Sequence, residues 1–334
     1  MKYREHVVNQ DISIKEAIEK LNGLSKVMTL FLVDREGRLK GTLTDGDVRR
    51  ALLKGIQLEQ PVELAYNRNF SFVKLGAPRA EDFVAFRKSM IKLIPVLDEQ
   101  GCISEIVNID ETKTILPIDV VVMAGGKGER LRPLTLDTPK PMLPLGNKPI
   151  IEHNIDRLVS FGVENIQVSV RYLAHKITEY LGDGASKDIQ ISYIKEDEPL
   201  GTIGSIRLAG AFKNDYILVI NSDILTNVDY EDLFLFFTAN NADFAIVTVP
   251  YSVNVPFAVL ETAGDHVIAL KEKPTFHFKS NAGIYLMKKD MLSLIPADGH
   301  YNATDLIEKA IDLGHTVVTY NHSGYWLDIG RHEE

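Results

Sequence analysis

"DVVVMAGGKGERLRPLT" (Asp119–Thr135) sets an apolar run directly against a glycine-rich, basic turn. The valine density of Val120–Val122 reads as a buried strand, and the glycines behind it let backbone amides turn toward a ligand. A ligand turn at the carboxyl end of a strand is the α/β arrangement. Working outward, "NIQVSV", "IQISYI", "YILVIN" and "ADFAIVTV" repeat the strand pattern, while "PIIEHNIDRLVSFG" puts Ile151, Ile155, Leu158 and Val159 on one helical face. The alternation predicts βαβ units on a mostly parallel sheet. A later group, "FAVLET", "HVIALKEK" and "NAGIYLM", has less helix between strands and predicts a smaller mixed sheet beside the main one, with a substrate cleft between the two.

The turn can be tested against its rivals. A dinucleotide fingerprint requires G-x-G-x-x-G; Gly126 and Gly128 supply the first pair, but Leu131 stands third. A Walker A loop requires Gly-Lys followed by Ser or Thr, and Lys127 is followed by Gly128. What remains is a loop whose amides close around phosphates, with Arg130 and Lys140 as charge-assisted donors.

A length of 334 residues predicts about two domains. The net charge of −9 argues against broad nucleic-acid binding, yet a local basic loop still suits a small anion. No apolar run is long enough to span a membrane, and the amino-terminal stretch lacks a signal-peptide core. The single cysteine, Cys102, excludes an intrachain disulfide framework, and the cytoplasm is the expected compartment.

Ahead of the α/β pattern lies an internal repeat. In "LFLVDREGRLKGTLTDGD" and "LIPVLDEQGCISEIVNID", Asp34 and Gly37 recur at one common offset as Asp98 and Gly101. Each copy reads as strand, Asp-x-x-Gly reversal and strand. A helix precedes each: "SIKEAIEKL", capped by Ser13 and Glu16, and "RAEDFVAFRKSM". The expected unit is helix, strand, turn, strand, helix. With "GTLTDGDVRRALLKG", the pattern resembles the cystathionine-β-synthase (CBS) repeat, which occurs in pairs and often senses adenine nucleotides. The resemblance implies a small α+β regulatory pair over residues 1–116, with Thr44 and Asp45 on the ligand. At the matching positions the second copy has Asn108 and Ile109, so at most one complete nucleotide site is expected; the pair read simply as a packing module remains the alternative.

The string G-G-x-G-x-R-L-x-P-L-T, then P-K-P-M-L-P-L, resembles the signature of the sugar-1-phosphate nucleotidyltransferases. That resemblance implies a Rossmann-like, glycosyltransferase-A-like catalytic domain over residues 117–334. It places Ala124, Gly125, Gly126 and Gly128 on the nucleotide. "EPLGTIGS" adds Gly201 and Thr202, and "VINSDIL" adds Asp223 as first metal carboxylate. "LKEKP" supplies Glu272 and Lys273 for the sugar and its phosphate, "SNAGIYL" supplies Asn281 and Gly283 beside the sugar, and "YWLDIG" supplies Asp328 as second metal carboxylate. Each alone has an ordinary explanation, since a strand-end Asp often caps a turn and an isolated lysine is often solvated. Together they stand in the family's order.

The resemblance implies transfer of a nucleotidyl group from a nucleoside triphosphate to a sugar 1-phosphate, with Mg²⁺ as cofactor and Arg130, Lys140 and Lys273 as the catalytic cations. The wording of "EPLGTIGS" is closer to guanylyltransferases acting on mannose, heptose or hexosamine phosphates than to thymidylyltransferases, so GTP and a hexosamine phosphate for surface glycans are the favoured substrates. A thymidylyl- or uridylyltransferase, and a catalytically silent regulatory relative that binds a nucleotide sugar, remain alternatives. The paired repeats imply a homo-oligomer. Family members commonly continue past the second metal carboxylate into a terminal helix, whereas this sequence runs from it to "GRHEE".

Overall fold

The computed structural model describes residues 3–24, 27–76 and 80–330. Two compact units emerge, Met1–Pro117 with Ser160–Gly162, and Ile118–Val159 with Val163–Glu334.

In the first unit, β1 (Val7–Asn9), α1 (Ile14–Asn22), β2 (Thr29–Val33), β3 (Leu39–Thr44) and α2 (Asp45–Leu53) form one half. β1 runs parallel and β3 antiparallel to β2, and Ser13 and Glu16 close a reciprocal cap on α1. That cap satisfies amides the first helical turn leaves unpaired. Ile14, Ala17 and Leu21 then drop into a core with Leu30, Leu32 and Leu43.

The other half repeats the sheet with β4 (Val73–Lys74), β5 (Leu93–Leu97) and β6 (Ile103–Asn108), and the helix with α3 (Ala80–Lys88). Arg79, expected to open that helix, lies outside the described residues. The halves differ where the sequences do. Thr44 caps α2, whereas at Asn108 the side chain accepts from the amide of Asp110 and no helix follows β6 before Ile118. The expected closing helix is therefore absent from the second copy. Asparagine here caps a turn.

The second unit is built on a seven-stranded sheet. Its strands begin with β7 (Ile118–Ala124), followed by the short pair β8 (Pro144–Leu145) and β9 (Lys148–Pro149), α4 (Ile150–Val159), β10 (Asn165–Val170), α5 (Ala174–Leu181) and β11 (Gln190–Lys195). β12 (Tyr216–Asn221), β13 (Ile224–Thr226), α6 (Tyr230–Ala239) and β14 (Phe244–Asn254) come next. The chain ends with β15 (Val259–Ala263), β16 (His266–Lys271), β17 (Thr275–Lys288), α7 (Ala303–Asp312), β18 (Val317–Asn321) and β19 (Trp326–Asp328). Spatial order is β11-β10-β7-β12-β17-β14-β18, with only β17 reversed. The valines Val120–Val122 are fully enclosed, as a strand covered on both faces demands. No helix among the described residues is long and apolar enough to cross a membrane.

The expected separate mixed sheet does not form. "NAGIYLM" is the buried half of β17 inside the main sheet, paired with β12. The other half of β17 pairs with the outer half of β14 and leaves the sheet as an exposed two-stranded ribbon, beside which β15 and β16 make a hairpin of their own. One long strand serves both environments. The cleft consequently opens over the ends of the parallel strands.

Candidate active site

Neighbouring parallel strands all release their chains at one edge, and four of these ends line a cleft of about 280 Å³. β7 leads into Gly125 and Gly126, β10 into Arg171, β11 into Glu196 and β12 into Ser222 and Asp223. Lys140, Gly201, Thr202, Asn221 and His300 are also among the lining residues.

Gly125 follows the buried Ala124 and must be glycine for steric reasons. A Cβ there would stand 2.7 Å from Glu196 Oε1. Glu196 has little room to yield: its carboxylate accepts from the Ser169 hydroxyl and from the Leu200 amide, and the residue is 9% exposed. Gly126, by contrast, faces open space, since a Cβ would meet nothing within 4 Å. The first glycine serves packing and the second leaves room. Gly128 opens the single turn Glu129–Leu131, and its carbonyl accepts from Thr135 Oγ1 at 2.8 Å.

The charged corner lies at the other end. Lys140 Nζ donates to Asp223 Oδ2 and stands 3.7 Å from Asp328 Oδ1. A short antiparallel pairing makes this possible: Ile224 of β13 is in register with Asp328 of β19, and the Ile329 amide donates to the Asp223 carbonyl. Two acids distant in sequence thus flank one ammonium. Two hard carboxylates already holding a cation fit a divalent ion such as Mg²⁺, which takes one or two carboxylates and fills its remaining positions with phosphate oxygens and water. No group of three or more His, Cys, Asp or Glu side chains suited to a metal occurs among the described residues.

Other residues expected from the sequence are placed differently. Gly201 and Thr202 line the cleft while fastened to the start of α7, where Thr202 Oγ1 accepts from the Ala303 amide. Asn281 donates to Tyr285 and accepts from the Gly283 amide, and Gly283 abuts Asn221 of the cleft wall. Burial raises the Tyr285 pKa, so that phenol stays neutral. Arg130 is exposed beside the loop, and Glu272 and Lys273 are exposed past the β15–β16 hairpin; none of the three lines the cleft. Arg171, Glu196, Asn221 and His300 were not expected. For the first two, the available signal was position alone, one residue past a strand.

A second cleft lies within the first unit, lined by Thr42, Thr44, Asp47, Arg50, Asn67 and Lys92 among others. Asp45, expected beside Thr44, is not among its lining residues and pairs with Arg49 on the exposed face of α2. The first turn of α2 explains this, because Asp47 is the residue three past the cap and folds back on Thr44.

The nucleotidyl transferase family matches residues 119–334, and the CBS domain matches residues 1–54. The chain is 34% identical over 225 residues to the mannose-1-phosphate guanylyltransferase of Mycobacterium tuberculosis, covering 65% of this chain and 62% of that protein. It is 34% identical over 222 residues to the bifunctional protein GlmU of Methanocaldococcus jannaschii, covering 64% of this chain and 52% of that one. The chain thus spans less than two thirds of the length of these relatives. Among solved structures, HddC from Yersinia pseudotuberculosis complexed with GMP-PN superposes with a TM-score of 0.51 at 26% identity, over 64% of this chain and 95% of that one.

Proposed function

The chain belongs to the nucleotidyl transferase family, and on that premise we propose that it joins a nucleoside triphosphate, GTP by preference, to a sugar 1-phosphate and releases pyrophosphate. The observation that carries this reading is the Lys140–Asp223–Asp328 corner, set beside an amide-rich loop at the strand ends of one cleft. The name of one relative, mannose-1-phosphate guanylyltransferase, supports a sugar phosphate as acceptor and guanine as the base.

The chemistry asks for little proton transfer. A phosphate monoester has a second pKa near 6, so the attacking oxygen is already largely ionised at neutral pH and needs no general base. The barrier lies in aligning two anions and offsetting their repulsion. The loop amides of Gly125–Gly128 cradle the phosphates, Arg130 holds the departing pyrophosphate, and Lys140 donates at the α-phosphate. Lys273 takes the sugar phosphate, with Glu272, Asn281 and Gly283 on the sugar side. Asp223 and Asp328 would hold Mg²⁺, and the bound ion would supply positive charge against the reacting phosphates. For the first unit, an adenine nucleotide in the Thr44–Asp47 cleft is the proposed regulator, in a homo-oligomeric enzyme serving surface glycans.

A pyrophosphate-release assay crossing GTP, ATP, UTP, CTP and dTTP with glucosamine, mannose and heptose 1-phosphates tests the reading. Turnover with GTP and one of these sugars is expected. No release from any pair would remove the transferase assignment in favour of a silent nucleotide-sugar-binding relative.

A further inference from the structure

Lys140 is fixed at its stem and movable at its tip. Pro139 and Pro141 flank it, it opens the single turn Lys140–Met142, and its Cβ packs against Gly128, where an added Cβ would stand 3.0 Å away. Proline fixes its own φ and restrains the residue before it, so the backbone on both sides of Lys140 has little freedom. Beyond Cβ the side chain is a flexible stem that ends in a compact charge. Only the ammonium can change partners without moving the chain.

That ammonium stands where two carboxylates converge. It donates to Asp223 Oδ2 and lies 3.7 Å from Asp328 Oδ1. The Lys140 side chain is 14% exposed, against 25% for Asp223 and 50% for Asp328, so the positive charge is the most enclosed of the three. Two carboxylates and one ammonium leave a single negative charge, and a divalent ion added beside them would meet a like charge at contact range.

The corner is also short of ligands. Mg²⁺ prefers octahedral oxygen coordination and is ordinarily held by one or two carboxylates together with substrate phosphates and water. Among the described residues, Asp223 and Asp328 belong to no group of three or more His, Cys, Asp or Glu side chains suited to a metal. A triphosphate in the cleft would change both conditions. Its oxygens can accept from Lys140 in place of Asp223, and they can supply the coordination that the two acids lack.

We propose that Lys140 is a counter-ion gate. In the free protein its ammonium closes Asp223 and Asp328 to divalent metal; phosphate oxygens draw it away, so the carboxylates accept the metal together with the triphosphate and not before it. This rests on the metal reading of the two acids and adds the order in which their site is filled.

Mn²⁺ alone, titrated into the full chain and followed through the paramagnetic signal of the free ion, tests the gate without nucleotide or turnover. Lys140→Met should bind Mn²⁺ roughly 10–100-fold more tightly than the unaltered protein, as expected when one positive charge leaves contact range of a divalent ion. Lys140→Arg keeps the charge and should bind no more tightly than the unaltered protein. Adding Asp223→Asn to Lys140→Met should abolish the gain. Melting temperature gives a second reading, since Mn²⁺ should raise that of Lys140→Met at a concentration that leaves the unaltered protein unmoved. Equal Mn²⁺ affinity in the unaltered protein and Lys140→Met would overturn the gate; if Asp223→Asn then removed that affinity, the metal assignment would stand without it. A gain in Lys140→Arg as large as in Lys140→Met would also overturn the gate, because packing and not charge would be the cause. Mn²⁺ binding in none of these proteins would end the gate and the metal assignment together. Pyrophosphate release is read separately, so a gated corner in a chain without turnover would sink the transferase reading alone.

Discussion

The cleft and the ribbon that leaves the sheet are held in opposite ways. In the cleft, Lys140 is clasped to Asp223, Glu196 is pinned by Ser169 and Leu200, and Gly125 leaves no space for a methyl group. On the ribbon, Tyr251 faces Phe278 and Val253 faces Phe276 across the strands, and these four side chains remain 37–59% exposed. Glu272 and Lys273 project beyond them into solvent. A two-stranded ribbon with neither face packed is only marginally stable in water. The end of the site proposed for the nucleotide is thus held by the protein's own contacts, while Glu272 and Lys273, proposed for the sugar side, stand in solvent.

The severest test of the preformed end is Asp223→Asn. It removes a proposed metal carboxylate and the hydrogen-bond partner of Lys140 together, and kcat for Mg²⁺-dependent pyrophosphate release should fall by roughly 10²–10³-fold with the fold retained. Turnover near that of the unaltered protein would dissolve the contrast, since the corner would then be structural. A smaller effect comes from the glycine pair. Gly125→Ala drives a methyl against Glu196 and should raise KM for the triphosphate about tenfold. Gly126→Ala has open space in the free protein and should leave the melting temperature unchanged. Loss of nucleotide affinity in Gly126→Ala would then report phosphate against that backbone.

Next to the ribbon, Lys273→Ala should raise KM for the sugar phosphate about fivefold, as expected for one charge-assisted bond, and leave kcat and the melting temperature nearly unaltered. An unchanged KM would strip Lys273 of its role and leave the ribbon without a function in binding. How far these residues can be read from sequence follows the same division. Asp223 and Asp328 are legible because each sits in a longer motif at a strand end, although the β13–β19 pairing that unites them has no sequence signature. Arg171 and Glu196 are single residues with no characteristic spacing, and only the pairing of β10 with β11 brings them to one cleft. β17 misleads for a different reason: its inner half reads as a buried run and its outer half alternates, so one 14-residue strand resembles two elements. Asp45 and Asp47 differ only in helical phase, which the cap decides.

The smallest effect asks whether the ribbon depends on its root, the opposite, sheet-bound end of β14 and β17. Asp243, just before β14, accepts from Lys288 at the end of β17 through Oδ1 at 2.7 Å and from the Thr316 amide through Oδ2 at 2.9 Å. The Lys288 bond is the main reason its carboxyl titrates below the ordinary value of 3.8. A carboxyl whose pKa is lowered by folding adds stability that is complete above the unfolded value and disappears as pH falls through the folded one. Asp243→Asn should therefore cost about 1 kcal/mol at pH 7, discounted for partial exposure, or roughly 2–4 °C in melting temperature. That deficit should shrink as the pH drops below about 4. If root and ribbon are mechanically separate, KM for the sugar phosphate will not move with the melting temperature. A joint shift would mean that Lys273 is positioned by the sheet after all, and the division between a built end and a pliable end would fail at its hinge.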